Sequence, residues 1–230
     1  ILDHQEKWTE ESLTELRNHS FAAWPDDSEM PTALANNKQE SLQLAERLSS
    51  DGQPLKAERL HFSSQEHVPL FVDVIIPTDG NANTNLKSEI SNQKPLQLIV
   101  LNSDEWNTYR QNCLARNPED QSGVDPNSSD IATEIRKLTE AGTVVAVFCP
   151  RGIGPHAWTG DARKQIQIRR RFQLIGTTAD AMRVWDIRSA LSLLTTHRLN
   201  SQQTTVSGSG TSGWLALTAV IFDGESAIGE

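Results

Sequence analysis

Apolar residues recur with two different periods along the chain, and these periods separate strands from helices. Residues 55–63 and 68–77 are extended runs on either side of a four-residue polar turn. In the second run Leu70, Val72 and Val74 alternate with the residues between them, as in a strand with one buried face. The two runs therefore predict an antiparallel hairpin.

Two later runs, residues 96–101 and 143–149, are continuously apolar over a short length. Such runs are typical of central parallel strands that are covered on both faces. Residues 204–207 predict one more short strand, just before a glycine-rich turn.

Helical spacing recurs in five other segments of the chain. Residues 214–221 are apolar on nearly every side, which predicts a buried helix. The segment 131–141 stops at Gly142, a residue typical of helix ends. The predicted helices are residues 8–21, 41–48, 131–141, 177–195 and 214–221.

This order of elements predicts an α/β fold in which a mostly parallel sheet follows an antiparallel N-terminal hairpin, with helices on both faces. Residues 1–54 form a predicted N-terminal helical extension, and residues 55–230 form the α/β domain. A chain of 230 residues is long enough for one such domain with its own core.

Charge and composition narrow the classes of partner. The formal net charge is -9 with 37% hydrophobic residues, which indicates a soluble globular protein and argues against nucleic acid or an anionic membrane as the main partner. No stretch reaches the ~18 to 20 apolar residues of a membrane span. For the one basic run, residues 169–171, a solvated helix face is favoured over an anion site.

The two cysteines, Cys113 and Cys149, offer neither a disulfide framework nor a zinc spacing, and we expect no metal and no cofactor. Cys149 ends an apolar run and is predicted to be buried. The first residue is Ile rather than Met, so a secreted or periplasmic location applies if a signal peptide has been removed.

The glycine-rich turn at residues 206–214 allows two interpretations. Gly208, Gly210 and Gly213 match the dinucleotide fingerprint G-x-G-x-x-G. That motif needs an acidic residue ~20 positions later, at the end of a second strand. Asp223 is the only candidate and follows Gly213 too closely for a helix and a strand between them. A dinucleotide site is therefore the less favoured interpretation.

The other interpretation is the nucleophile elbow of α/β-hydrolases, in which a strand, a turn G-x-Ser-x-G and a helix hold the nucleophile between small neighbours. When Gly208 and Ser212 are aligned with the two small positions, Gly210 stands where the serine belongs. Glycine adopts a positive φ without cost, but it has no side chain with which to attack.

Two other frames place a serine at the nucleophile position. A frame on Ser212 forces Trp214 into a small-residue position, which is sterically unfavourable. A frame on Ser209 uses Ser207 and Thr211 as the small residues and remains the fallback.

Three segments resemble acetyl xylan esterase-like α/β-hydrolases. Residues 170–176 and 181–188 (RRFQLIG and AMRVWDIR) resemble the helix before the elbow, and residues 149–154 (CPRGIG) resemble a strand end with an Arg-Gly pair. Residues 16–25 resemble a motif of large bacterial proteins in this group. The similarity extends over residues 13–223 and implies an α/β-hydrolase-like fold that lacks its C-terminal strands.

The resemblance also implies roles for residues near the turn. Members of the family use a triad of serine, histidine and an acid, and Gly210 takes the nucleophile position here. The Thr211 N–H would be one oxyanion donor, and a second would come from the loop after residue 101, near Ser103.

The order of the triad along the chain gives an independent argument. In this fold the histidine follows the nucleophile and the acid. Twenty residues follow Gly210, whereas the remaining half of the sheet needs on the order of 100 residues. We therefore expect the rest of the fold to lie outside this chain or on another polypeptide. All six histidines precede the turn: His4, His19, His61, His67, His156 and His197.

A few other polar residues follow predicted strands or start helices. His156 has two interpretations, of which a backbone-bonded loop histidine is favoured over a functional one. Asp104 and Glu105 are expected to be solvated or to cap a helix rather than to act as paired carboxylates. Asp186 is expected to be structural, in a pair with Arg183 or Arg188.

These observations favour a degenerate hydrolase domain that serves a structural or binding role. The alternative is a working ester hydrolase, with Ser209 as nucleophile and the fold completed beyond this chain. The expected partners are a carbohydrate ester ligand and either a second copy of the chain or a companion hydrolase domain.

Overall fold

A computed structural model describes residues 2–31, 38–45, 48, 55–77, 94–114, 130–197 and 203–223. Its strands are β1 (Gln39–Leu42), β2 (Lys56–Gln65), β3 (Val68–Ile76), β4 (Leu96–Val100), β5 (Val144–Phe148) and β6 (Thr204–Gly208). Its α-helices are α1 (Leu2–Ser20), α2 (Ser103–Asn112), α3 (Asp130–Glu140), α4 (Ala162–Leu174), α5 (Ala179–His197) and α6 (Gly210–Asp223). Short 3₁₀ helices cover Asp27–Glu29 and Gly154–His156.

Within the described residues the strands form one mixed sheet in the order β1-β2-β3-β5-β4-β6. β2 and β3 pair antiparallel, which confirms the predicted hairpin. β3 also pairs antiparallel with β5, whereas β4 pairs parallel with both β5 and β6. Four strands, β2, β5, β4 and β6, consequently run in the same direction, as an α/β fold requires.

The sheet has an apolar core on each face. On one face, side chains from alternate strand positions pack against α5 and α6, and Trp185 of α5 is fully buried. On the other face Ile99 and Val147 pack with Trp106 and Tyr109 of α2 and with α3. The alternation of faces along each strand separates the two cores, and the helices lie on both sides as expected.

The N-terminal segment is fastened to the first core by aromatic side chains. Trp24 is 7% exposed, and its indole Nε1–H donates to the Ala181 carbonyl at 2.7 Å. The Phe21 and Phe222 rings lie 4.9 Å apart, so the residues after α1 contact the end of α6. This burial explains why the chain breaks its helix at the sequence Phe-Ala-Ala-Trp-Pro.

Two predictions about individual elements are wrong. The helix predicted over residues 41–48 is replaced by β1, because Gln39–Leu42 pairs with the edge of β2. The helix predicted over residues 214–221 exists as part of α6, but it is buried on one face only: Trp214, Leu217 and Ile221 are 72%, 51% and 44% exposed. Helices α2 and α4 do not appear in the predicted order of elements.

Because β1 joins the sheet, part of the segment 1–54 belongs to the sheet rather than to a purely helical extension. The division at residue 54 stays a prediction. No helix in the described part of the chain combines the length and apolar character that crossing a bilayer requires.

Candidate functional site

The carboxyl ends of three neighbouring strands meet at one edge of the sheet. Val100 of β4 is in register with Phe148 of β5 and with Gly208 of β6. The three following loops therefore start side by side, as in other α/β proteins whose ligand sites lie at this edge.

The turn between β6 and α6 is extremely short. β6 ends at Gly208, a single residue follows, and α6 begins at Gly210 with a φ of 53°. A positive φ of this size is the left-handed conformation that glycine adopts without strain. A Cβ added to Gly210 would meet no atom within 4 Å, so the space around this position is open.

Strand and helix approach each other very closely beside this turn. A Cβ on Gly208 would lie 2.9 Å from the Ser212 carbonyl carbon, and a Cβ on Gly213 would lie 2.7 Å from the Gly208 carbonyl oxygen. Ser212 is 1% exposed, and its Oγ has no hydrogen-bond partner among the described residues. Sequence reasoning named Gly208 and Ser212 as the small positions and missed Gly213, which is the more tightly packed of the two glycines.

The Ser209 side chain is hydrogen-bonded to the first turn of α2, the helix that follows β4. Its hydroxyl donates a hydrogen bond to Glu105 Oε1. Glu105 Oε2 accepts from the Asn102 N–H at 2.8 Å, while Asn102 Oδ1 accepts from the Asp104 and Glu105 N–H groups. This capping box fixes the first turn of α2 and so positions the carboxylate that receives Ser209. The predicted capping interpretation is thus confirmed for Glu105.

The loops after β4 and β5 are also joined. The Gly154 N–H donates to Ser103 Oγ at 3.3 Å. Thr211, the other residue predicted as an oxyanion donor, is exposed in the first turn of α6. The structure therefore brings Ser103, Glu105, Gly154 and Ser209 to the same edge of the sheet.

His156 lies beside this edge and faces the hairpin. Its ring centroid is 4.6 Å from that of Phe71, and its Nε2 has no partner among the described residues. Burial lowers the pKa of His156 to about 4, against a smaller opposing effect of the Asp186 charge and of a hydrogen bond to the Phe71 backbone. The imidazole is therefore neutral at pH 7, and the backbone contact is of the kind the sequence favoured.

No histidine among the described side chains, His19, His61, His67 and His156, makes a hydrogen bond to a serine of the turn. The side chains of His4 and His197 lie outside those described. The described residues also hold no cluster of three or more His, Cys, Asp or Glu that would suit a metal ion.

Beneath the β5 loop is a buried ionic network. Arg151 donates to Asp186 through NH2 and Nε at 2.6 Å and 2.8 Å, and its backbone N–H reaches the same carboxylate at 2.9 Å. The Ser64 hydroxyl donates to Asp186 at 2.6 Å. The pairing of Asp186 predicted with Arg183 or Arg188 is wrong, because Arg151 occupies both of its oxygens. The network anchors the Arg-Gly loop to α5 and β2.

A second buried pair supports the hairpin. Asp73 is 0% exposed and accepts from Arg59 Nε at 2.7 Å and from the Tyr109 hydroxyl at 3.2 Å. Burial raises the pKa of Asp73, although the Arg59 guanidinium opposes that shift. Sequence reasoning did not identify this pair; a lone acidic residue inside the apolar run 68–77 was the available signal.

Comparisons with known proteins bear on the fold. No family model and no curated protein sequence matches the chain. A Bacteroides fragilis NCTC 9343 structure assigned as an acetyl xylan esterase matches with a TM-score of 0.57 and 12% identity, over 94% of this chain and 50% of that one. The chain shares the α/β fold of that structure.

A second structure, acetyl xylan esterase 1 from Thermoanaerobacterium sp. JW/SL YS485, has a TM-score of 0.48 and 14% identity, over 92% of this chain and 53% of that one. The chain thus spans about half the length of each of these two structures. At such low identity the likeness concerns the fold alone.

Proposed function

We propose that this chain is a degenerate hydrolase domain, related to carbohydrate esterases, that binds or supports rather than cleaves. Gly210 occupies the nucleophile position of the elbow, and the neighbouring small positions hold strand and helix together. The domain retains the backbone of an ester-hydrolase site without its attacking oxygen.

One observation carries the proposal: Gly210, the first residue of α6, has a φ of 53° at the only sharp strand-to-helix turn that the described glycine-rich segment forms. In α/β-hydrolases this position holds the nucleophile in a strained turn. The space around Gly210 is open, as it would have to be if a nucleophilic side chain projected from this position. In this chain the position carries only a hydrogen atom.

The class of ligand that we propose is taken from a structure of similar fold. The Bacteroides fragilis structure is described as an acetyl xylan esterase, so an acetylated carbohydrate is the first ligand class to test. The predicted donors, the Thr211 N–H and the loop at Ser103, would face the acyl oxygen of such a ligand.

A working ester hydrolase is the second candidate, and the Ser209–Glu105 hydrogen bond favours it. A serine needs a base to activate it, and the usual base is a histidine. Here the serine is bonded to a carboxylate that already caps α2. Activity through this pair would therefore require a different activation from that of the Ser-His-acid triad.

Hydrolysis of p-nitrophenyl acetate by the wild type, Ser209→Ala and Gly210→Ser separates the two candidates. The proposal expects all three proteins to match the buffer rate within about twofold, because no described histidine is hydrogen-bonded to a serine of the turn and could activate a hydroxyl at position 209 or 210. The Gly210→Ser variant tests the backbone directly, because its hydroxyl would enter the open space beside the turn.

Wild-type turnover that Ser209→Ala abolishes would establish the hydrolase and refute the proposal. Turnover that survives Ser209→Ala would place the chemistry elsewhere and also refute it. Binding of acetylated xylo-oligosaccharide, measured by calorimetry against the deacetylated sugar, tests the ligand class separately from the chemistry.

A further inference from the structure

Helix α4 carries an unusual concentration of positive charge for a protein of net charge -9. Its sequence, ARKQIQIRRRFQL, contains five Arg or Lys residues and no acid. None of the five forms an ion pair with a described carboxylate. The helix surface therefore keeps its charge, and a nearby concave site would hold a positive potential.

Such a concave site exists where α4 faces the loops after β4 and β5. A cavity of about 230 Å³ is lined by Arg169 of α4, Arg183 of α5 and, among others, Asn102, Ser103, Trp158 and Gln165. We call it the arginine pocket. Its lining contains two guanidinium groups and no Asp or Glu.

Arg183 is held rigidly at the wall of the pocket. Its side chain is 8% exposed, Nε donates to the Arg151 carbonyl at 3.1 Å, and NH1 donates to Asp180 at 2.7 Å. Its guanidinium carbon lies 5.5 Å from the Trp158 ring centroid. Asp180 is 62% exposed and does not line the pocket, so water weakens its neutralising effect.

Two of the polar side chains that line the pocket present free hydrogen-bond donors. Asn102 Oδ1 already accepts from two backbone N–H groups of α2, which leaves the amide NH₂ as the free end. Ser103 Oγ accepts from the Gly154 N–H, so its hydroxyl proton remains available to donate. The Asn102 amide and the Ser103 hydroxyl thus offer donors beside two cations, whereas Gln165 Nε2 already donates to the Thr159 carbonyl at 2.8 Å. Donors beside cations suit an anion whose oxygens accept several bonds at once.

We propose that the arginine pocket binds a small oxyanion, either a carboxylate or a phosphate, between Arg169 and Arg183. Its volume lies below the ~300 Å³ at which pockets for drug-sized ligands begin, so a single anionic group or one charged sugar unit fits. The sequence alone favoured a solvated face for residues 169–171; the structure separates Arg169, which lines the pocket, from Arg170 and Arg171, which do not.

The pocket shares Ser103 with the predicted oxyanion loop, so an anionic group bound here would lie beside the elbow. The inference concerns binding alone and is independent of whether the elbow catalyses. It can fail while the proposed function stands, and the reverse is also true.

Calorimetric titration with sodium glucuronate and with inorganic phosphate tests the pocket, with glucose as the uncharged control. Arg169→Gln removes one of the two charges that line the pocket, and Arg170→Gln removes the same charge from the next position on the same exposed helix. We expect saturable binding of at least one anion. Arg169→Gln should weaken it about tenfold, as the loss of a charged hydrogen bond does, and Arg170→Gln less than about twofold.

The anion that binds more tightly shows whether the natural ligand is a uronic acid or a phosphorylated compound. No saturable binding of either anion would overturn the proposal. Equal weakening by the two variants would also overturn it, because a diffuse positive helix surface would then account for the binding. Glucose that binds as tightly as glucuronate would show that charge is not recognised.

Discussion

The close approach of β6 and α6 can be tested by adding single carbon atoms. In Gly213→Ala the new methyl would lie 2.7 Å from the Gly208 carbonyl oxygen, 0.7 Å short of the 3.4 Å at which ordinary contact begins. The obstructing atom is backbone, so relief requires the helix and the strand to separate. Overpacking of this kind costs about 1 to 3 kcal/mol, and the usual gain from replacing a helical glycine offsets at most about 1 kcal/mol.

We therefore expect Gly213→Ala to lower the free energy of unfolding by about 2 kcal/mol and Gly213→Val by more. Gly210 provides the contrast. Its φ of 53° makes any side chain strained, at about 1 to 2 kcal/mol, but the open space there means that Ala and Ser should cost nearly the same. Gly160, with open space and no positive φ, is the neutral control.

Urea unfolding followed by tryptophan fluorescence measures these differences, provided that the m-values of the variants agree. The decisive result is how the loss of unfolding free energy depends on side-chain size. It should rise steeply from Ala to Val at Gly213 and stay nearly equal from Ala to Ser at Gly210. If Gly213→Ala is as stable as Gly160→Ala, the strand and the helix are not in the contact described, and the elbow geometry loses its support.

Three further outcomes follow from the buried groups and the exposed helix face. Asp186→Asn should lower the free energy of unfolding by about 3 kcal/mol, because Arg151 would keep its charge in a buried site; a loss below about 1 kcal/mol would contradict the network. In the folded chain the pKa of His156 is lowered to about 4. As the pH falls below the ordinary value of 6.5, His156 is therefore protonated in the unfolded chain before it is protonated in the folded chain. The stability due to the neutral ring is then lost toward pH 4. His156→Gln should therefore reduce the loss of stability between about pH 7 and pH 4.5 by about 1 to 2 kcal/mol, and an unchanged pH profile would contradict the buried neutral state. The outer edge of β6 carries no partner among the described strands, and Trp214 and Leu217 of the following helix are exposed, so we propose that a second copy covers these surfaces. Sedimentation should show association that Leu217→Glu reduces, and a wild type that stays monomeric at all concentrations would refute this.

The strands and the long buried helix were predictable because tertiary packing repeats the local pattern. Continuous apolar runs became β4 and β5, and the stripe through Val184, Ile187 and Leu191 is buried in α5. The other sides of α5 are buried as well over residues 181–191, which the polar positions between the apolar ones did not indicate. Sequence periodicity and burial also disagreed at α6, where an all-round apolar segment leaves one face exposed.

Helix α2 escaped prediction because only Trp106 and Tyr109 of its apolar residues reach the core, too few to establish a period. The signal that would have found it was the capping box of Asn102 and Glu105. β1 was mistaken for a helix because Leu42, Leu44 and Leu48 belong to a segment of roughly helical spacing. The edge of β2 decides the conformation of Gln39–Leu42, and Leu44 bridges Leu114 instead.

The candidate site, too, was predictable from the sequence only in part. The spacing of the glycines predicted the sharp turn, and Gly210 has the conformation that spacing requires. The Ser209–Glu105 bond and the arginine pocket join residues more than sixty positions apart, so no local pattern could reveal them.

Arg188 ties the two ends of the described chain together. Its guanidinium bonds Asp27 at 3.2 Å and Asp223 at 2.7 Å, and it lies 5.2 Å from the Trp24 ring centroid. Removal of the N-terminal thirty-one residues would therefore take away one of the two carboxylates that pair with a nearly buried cation and would loosen the last turn of α6 at the same time. Any trimmed version intended to isolate the sheet should keep these residues, since the opening helix and the closing helix are expected to unfold as one cooperative unit.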